Sequence, residues 1–218
     1  MSLSLYFAPG ACSFVPHTLL QASGADFEPR LVKLHKGEQF EAAYQALNPR
    51  GQVPVLVEGD QVMTQIIAIS LYLDAKFPQC GFLPASGWAR AKALETLAWM
   101  NNTVHPTFTH VFRPGHFSDD AAAQASIKTK GVENYRLRLK ELQQLVAALP
   151  AAGATWLSGP HFGPLDAYAL TLSRWGTLAG IMPAEHPVLW DYVHRVAQHP
   201  PVQQVIERER IQLQATPI

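Results

Sequence analysis

Apolar and polar positions follow two different rhythms along the 218-residue chain. In residues 1–78 short apolar runs bounded by turn residues alternate with helical spacing. Ser4 to Phe7 is such a run, ended by Pro9-Gly10, and predicts a strand. From Cys12 or Ser13 to Ser23 the apolar residues Val15, Leu19, Leu20 and Ala22 recur at helical spacing. Pro16 falls in the first turn of that helix and Gly24 where a left-handed residue ends it. Arg30 to Leu34 reads as a second strand, and strand–helix–strand order implies a right-handed parallel pairing. Glu41 to Leu47 predicts a short helix stopped by Asn48-Pro49. Val55 to Val57 and Gln61 to Met63 predict antiparallel strands joined at Gly59-Asp60. Gln65 to Phe77 is apolar on most faces and predicts a buried helix, with Thr64 as its N-cap.

Past residue 78 no strand pattern occurs. Pro78 to Gly87 is rich in proline and glycine and reads as a linker. Trp88 to Phe112 is a long helical pattern carrying Leu94, Leu97, Met100, Val104 and Phe108, bent near Pro106. Asp120 to Leu149 is another, with Tyr135, Leu139, Leu142 and Val146 directed inward. Pro164 to Ala179, Pro187 to Gln198 and Val202 to Glu209 are shorter helices, two of them opened by a first-turn proline. The expected architecture is α/β plus all-α: a small α/β domain over 1–78, a linker over 79–87 and an all-helical domain over 88–218.

Composition narrows the function. A hydrophobic fraction of 48% supplies a core, and 17 basic against 17 acidic residues leave no net charge to attract nucleic acid or anionic lipid. The longest apolar stretch, Ile66 to Leu73 interrupted by Ser70, is too short to span a bilayer. MSLSLYFAPGACS has neither a basic flank nor a sustained apolar segment, so no secretory signal is expected. Two cysteines, Cys12 and Cys80, make no disulfide framework and point to a reducing cytoplasm. Without clustered histidines they hold no structural zinc, and no metal is expected.

Four features carry candidate chemistry. Cys12 and Ser13 sit between a strand and a helix start, where orphan N–H groups and the helix dipole favour a thiolate, whether of Cys12 or of a bound ligand. Ser13 is placed to donate to such a sulfur. On the same residues Cys12 is equally an inert core residue and Ser13 only a cap. Pro54, preceding a strand, is either cis, so that Val53 offers its peptide to a peptide-like ligand, or an ordinary trans proline. Gln65 and Ile66 open a helix whose N–H groups suit a carboxylate, or merely begin a capped helix. His105, beside Pro106, is a neutral imidazole able to orient a thiol or take its proton, or a structural histidine. Trp99, Phe108, Phe112 and Trp175 are core aromatics by default, and one or two of them suit an apolar pocket wall.

PGACS, NPRGQVPVL (48–56), TQIIAISLYL (64–73) and SGPHFGPLDAYAL (158–170) in this order resemble the cytosolic glutathione transferases, most closely the bacterial beta-like group. The resemblance implies a thioredoxin-like N-terminal domain, a helical-bundle C-terminal domain and a homodimer. It implies glutathione as co-substrate, conjugated to a small hydrophobic electrophile, with thiol-transferase or reductase chemistry possible through Cys12. It places the cysteinyl backbone on Val53, with Pro54 cis, and the γ-glutamyl carboxylate at Gln65 and the Ile66 amide. Gln52 with Lys36 or His35 is assigned to the glycine end, and Cys12, Ser13 and His105 to the sulfur. Ile66 departs from the family's serine, Gln65 from its frequent acid and Gly163 from its capping hydroxyl. Phe7 has no hydroxyl to run a tyrosine mechanism. The departure at Ile66 motivates the alternative of a non-catalytic binding protein on the same fold, with a weakened glutathione site.

Overall fold

A computed structural model describes residues 2–218. Strand β1 (Leu3–Phe7) runs through helix α1 (Phe14–Ser23) into β2 (Phe27–Leu31), which pairs parallel to it with Leu3 opposite Phe27. Helix α2 (Ala42–Gln45) leads to the antiparallel pair β3 (Val55–Glu58) and β4 (Gln61–Thr64), then to α3 (Ile66–Lys76). The sheet order is β2-β1-β3-β4, with β3 antiparallel to β1. Alternation along β1 decides the two faces. Leu3, Leu5 and Phe7 join Leu19, Leu20, Ile69 and Leu73 of α1 and α3 in one core. On the opposite face Tyr6 meets Tyr44 of α2 edge-on at 5.8 Å, beside Val53 and Val55. This is a thioredoxin-like sheet with helices on both faces.

From Gly87 onward every regular element is helical: α4 (Gly87–Trp99), α5 (His105–Phe112), α6 (Ala121–Ala147), α7 (Pro164–Leu178), α8 (Pro187–Ala197) and α9 (Pro200–Glu209). Helix α7 is buried along most of its length, and α1 packs against α3, α7 and α9 at once, which joins the sheet to the helices.

Three local expectations are corrected. The second strand lies at Phe27–Leu31, three residues before the expected start at Arg30. As an edge strand it is largely exposed and accommodates Pro29, so it lacks an apolar rhythm; Val32 and Leu34 instead belong to the following loop. Thr64 is not a cap: it pairs with Val55 inside β4, and Gln65 turns the chain at φ 75°. Helix α3 buries only one stripe, including Ile66, Ile69 and Leu73, while Ile67, Leu71 and Tyr72 stay half-exposed. The Pro/Gly-rich segment after α3, read as a linker, is anchored at its middle. Phe82 and Leu83 are buried, Asp74 accepts from the Leu83 N–H at 3.1 Å, and Arg90 pairs with Asp74 at 2.8 Å.

The expected bend near Pro106 takes the form of a π-helical stretch at Met100–Val104 between α4 and α5. The His105 N–H bonds back to Met100 O, a five-residue step, just where Pro106 has no N–H to give. The entry to α7 is equally specific. Asp166 is fully buried and accepts from Leu157 N–H (2.7 Å), Gly163 N–H (2.8 Å) and the Tyr192 hydroxyl. The hydroxyl absent at Gly163 is supplied by Ser158, whose Oγ accepts from Leu165 N–H at 3.0 Å. Glycine is required here by close approach, because a Cβ would stand 2.0 Å from Phe82 O and 2.8 Å from Ser158 Oγ. Gly163→Ser, which restores the family's capping residue type, is therefore expected to destabilise the fold by about 1–3 kcal/mol through overpacking. A urea midpoint at or above that of the parent chain would contradict this.

Candidate functional site

A cleft of about 930 Å³ opens between the sheet domain and helices α5 and α7. It is lined by the β1–α1 loop with Cys12, the loop after β2 with His35, the Gln52-Val53-Pro54 turn, Gln65, and His105 with Phe108, Phe112 and Trp175. The Val53–Pro54 peptide is cis. The carbonyl of Gln52, just before it, accepts from the Tyr44 hydroxyl at 2.8 Å and from Asn48 Nδ2 at 2.7 Å, which fixes the turn.

Cys12 lies partly exposed at the cleft floor, and its thiol donates to Val53 O at 3.4 Å. The helix end favours a thiolate on Cys12 or on a bound ligand, and at Cys12 itself burial opposes ionisation. Burial pushes the thiol up to about 12 and outweighs the N–H groups of Cys12 and Ser13, which act in the opposite direction. The helix-end amides therefore do face a sulfur, but Cys12 holds its proton at neutral pH.

Ser13 is not brought to the sulfur. It is fully buried, and its hydroxyl accepts from Ala8 N–H (3.1 Å) and donates to Ala8 O (3.2 Å). Its backbone is already helical (φ −61°, ψ −16°), so the side chain closes the β1–α1 loop from behind. Nor does it cap α1, since no hydrogen bond from its side chain reaches the helix end.

At the α3 end, Gln65 occupies the left-handed half of backbone space, a conformation that costs a non-glycine residue about 1–3 kcal/mol and recurs at ligand clamps. The first intrahelical bond runs from Ile69 N–H to Gln65 O at 3.0 Å, so the N–H groups of residues 66–68 precede the ladder. The Ile66 side chain is buried in the core and does not line the cleft; its serine-to-isoleucine departure is absorbed by packing. His35 lies at the cleft rim, and the adjacent Lys36 is exposed outside the lining. Phe7 points into the core, 4.7 Å from the His17 ring, so it has no part in the cleft.

His105 lines the helical wall with Nδ1 2.6 Å from the Tyr168 hydroxyl and its ring edge-on to Trp175 at 4.7 Å. Burial pulls it down to about 4, so the imidazole is neutral. If Nδ1–H donates to Tyr168 and Tyr168 donates onward to Asn101 Oδ1 at 3.4 Å, Nε2 is a free acceptor; the reverse direction puts the proton on Nε2. Tyr168 escaped the sequence reading, although a tyrosine buried in a helix requires a partner for its hydroxyl. Arg113 and Arg174 line the same wall and were also missed, because lone arginines carry no motif. Among the described residues no group of three His, Cys, Asp or Glu side chains is placed to hold a metal ion. No described helix is long and apolar enough to cross a membrane.

Comparisons with known proteins agree with this geometry. The family profile for the glutathione S-transferase N-terminal domain matches residues 1–75. The chain is 32% identical to glutathione S-transferase GstA of Escherichia coli O157:H7, over 95% of this chain and 98% of that one. A solved glutathione S-transferase from Xylella fastidiosa superposes with a TM-score of 0.85 at 29% identity, covering 96% of this chain and 100% of the other. A sphingomonad glutathione S-transferase complexed with glutathione gives 0.78 at 29% identity, again over 96% and 100%. With a full-length relative, the matching fold and the cis-proline cleft in place, the chain belongs to the glutathione S-transferase family of enzymes.

Proposed function

We propose that this transferase conjugates glutathione to small hydrophobic electrophiles, with the tripeptide extended along the sheet side of the cleft. Its cysteinyl backbone pairs with Val53 as an added strand segment. Its γ-glutamyl carboxylate meets Gln65 and the open N–H groups of α3. Its glycine end extends toward Gln52 and His35. The sphingomonad relative holding glutathione supports the same ligand here. The electrophile rests on Phe108, Phe112 and Trp175, and proximity in a largely apolar cleft supplies much of the rate.

The observation that carries this reading is one cleft that brings the Val53 peptide, Gln65 and the Cys12 thiol, 3.4 Å from Val53 O, to face His105 and the aromatic wall. With Cys12 protonated, the thiolate at work is that of glutathione. Once the ligand takes the Val53 carbonyl, the Cys12 S–H is released to donate to the incoming sulfur, and the amides stabilise the charge that develops there. Neutral His105 orients the ligand thiol, whose proton passes to solvent. Thiol-transfer or reductive side chemistry would need Cys12 itself as nucleophile. The half-exposed Ile67, Leu71 and Tyr72 of α3, beside exposed Val62 and a shallow hollow of about 360 Å³, support a homodimer through that face. Free Cys12 and Cys80 suit a reducing cytoplasm.

Titration calorimetry at millimolar glutathione is expected to show binding, and its absence would overturn the proposal. Cys12→Ser keeps a donor and is expected to conjugate a chromogenic aryl halide within about tenfold of the parent, whereas Cys12→Ala loses about ten- to a hundredfold in kcat/KM. Equal activity in all three proteins would remove Cys12 from the mechanism. Alkylation of ligand-free Cys12 by iodoacetamide at pH 7, located by mass spectrometry, should be on the order of a thousandfold slower than that of a cysteine peptide. A rate equal to the peptide's would mean that the thiol is not held protonated.

Burial of neutral His105 also has a pH signature. The unfolded chain takes up a proton near pH 6.5, the native state only near 4. The stability contributed is therefore complete above about 6.5 and is lost as pH falls toward 4. His105→Gln is expected to flatten that limb of the stability curve, measured by urea unfolding from pH 7 to 4; an unchanged slope would show that the imidazole titrates freely.

A further inference from the structure

We propose that the electrophile is an aromatic compound bearing a negative charge, its ring on the Phe108–Phe112–Trp175 wall and its anionic group between Arg113 and Arg174. The proposal rests on the conjugation reading above and specifies its second substrate. Three rings form a near-parallel row. Trp175 and Phe108 lie 5.0 Å apart at 19°, and Phe108 and Phe112 5.8 Å apart at 16°. The row runs from buried Trp175 and Phe108 out to Phe112, which is 50% exposed at the rim. A flat ring continues such a row better than an aliphatic chain does.

Charge around this row is one-sided. The whole chain balances 17 basic against 17 acidic residues, yet among the described residues no Asp or Glu lines the cleft. Lys33, on the sheet side, is near Glu38 at 3.6 Å. Arg113 and Arg174 have no carboxylate partner among the described residues. The Arg113 guanidinium stands 5.7 Å from the Phe112 ring centre. Arg174 reaches the Pro9-Gly10 loop, where its Nη1 lies 2.6 Å from the position a Cβ on Gly10 would take, and its Nε donates to Gln212 O at 2.7 Å. The nearby Glu209 carboxylate is already committed to Gly10 N–H and His17. Arg113 is exposed and Arg174 part-buried, neither guanidinium is in direct contact with a carboxylate among the described residues, and the planar fork of each matches one. Glutathione does not supply that carboxylate, because the reading above assigns its two carboxylates to the opposite wall, at Gln65 and at Gln52 with His35.

In the reaction the glutathione thiolate attacks the ring carbon bearing a halide. A C–S bond forms, the C–halogen bond breaks, and the halide leaves with the bonding pair. The negative charge spread over the ring at the addition stage faces the same two arginines.

The test compares 4-chloro-3,5-dinitrobenzoate with its methyl ester, each rate divided by that of the uncatalysed reaction with glutathione. The parent enzyme is expected to favour the carboxylate in kcat/KM, and Arg113→Gln to lower the carboxylate-to-ester ratio about ten- to a hundredfold. Arg174→Gln should lower it similarly and Arg174→Lys less, with thermal melts reporting any loosening of the Gly10 loop. A ratio at or below one in the parent, or one unchanged by both glutamine variants, overturns the proposal. Conjugation of neither compound above the uncatalysed rate overturns the underlying function as well, whereas good turnover of the ester with no preference overturns the charge selectivity alone.

Discussion

The backbone of Gly10 is held through both its N–H and its C=O by residues far along the chain. Its N–H donates to Glu209 at 2.8 Å, and its C=O accepts from Trp175 Nε1 at 2.9 Å. The other oxygen of Glu209 meets His17 Nδ1 at 2.7 Å, with both side chains fully buried. Removing one partner from such a buried pair leaves an uncompensated charge or polar group, a loss of about 3–5 kcal/mol in comparable sites. Everything at the cleft floor depends on this clamp, because Gly10 lies two residues before Cys12. The loop that aims amides at the sulfur is thereby referenced to α7 and α9 as well as to its own sheet. Neither half of the molecule forms the site alone.

A second consequence is electrostatic. Cys12 and His105 are both uncharged at neutral pH: burial keeps the proton on the thiol and holds the imidazole in its neutral form. In the proposed reaction a ligand thiolate would therefore be stabilised by oriented dipoles and a donating thiol, not by a neighbouring full charge. Full charges are confined to the walls and rim, where they bear on how ligands enter and lie. The π-helical step before Pro106 and the Tyr168 hydroxyl belong to the same scheme, since they set the position of the imidazole without charging it.

Helix α7 connects these parts. Its first turn is locked by Asp166 and Ser158, its middle presents Tyr168 to His105, and its later turns supply Arg174 and Trp175 to the cleft. Gly163 illustrates how a residue that looks like a weak cap can be a packing requirement, with the missing hydroxyl drawn from five residues upstream.

Much of this was legible from residue order. A short run ended by Pro9-Gly10 marked β1, helical spacing marked α1, first-turn prolines marked α7 and α8, and the four family-like segments pointed to a cleft that does contain Cys12, His35, Gln52, Val53, Pro54, Gln65 and His105. These are local signals, and a strand or helix whose partner is the core itself is written in its own neighbourhood. What escaped was set by distant neighbours. β2 was misplaced because its exposure as an edge leaves no rhythm to read. Ser13 turned away from the sulfur because the loop needed its hydroxyl more than the cleft did. The burial that raises the Cys12 thiol was not legible because desolvation depends on every group folded around it, while the helix-end amides are evident from two adjacent residues. The Glu209–Gly10 contact spans 199 positions, and no window along the chain contains both ends.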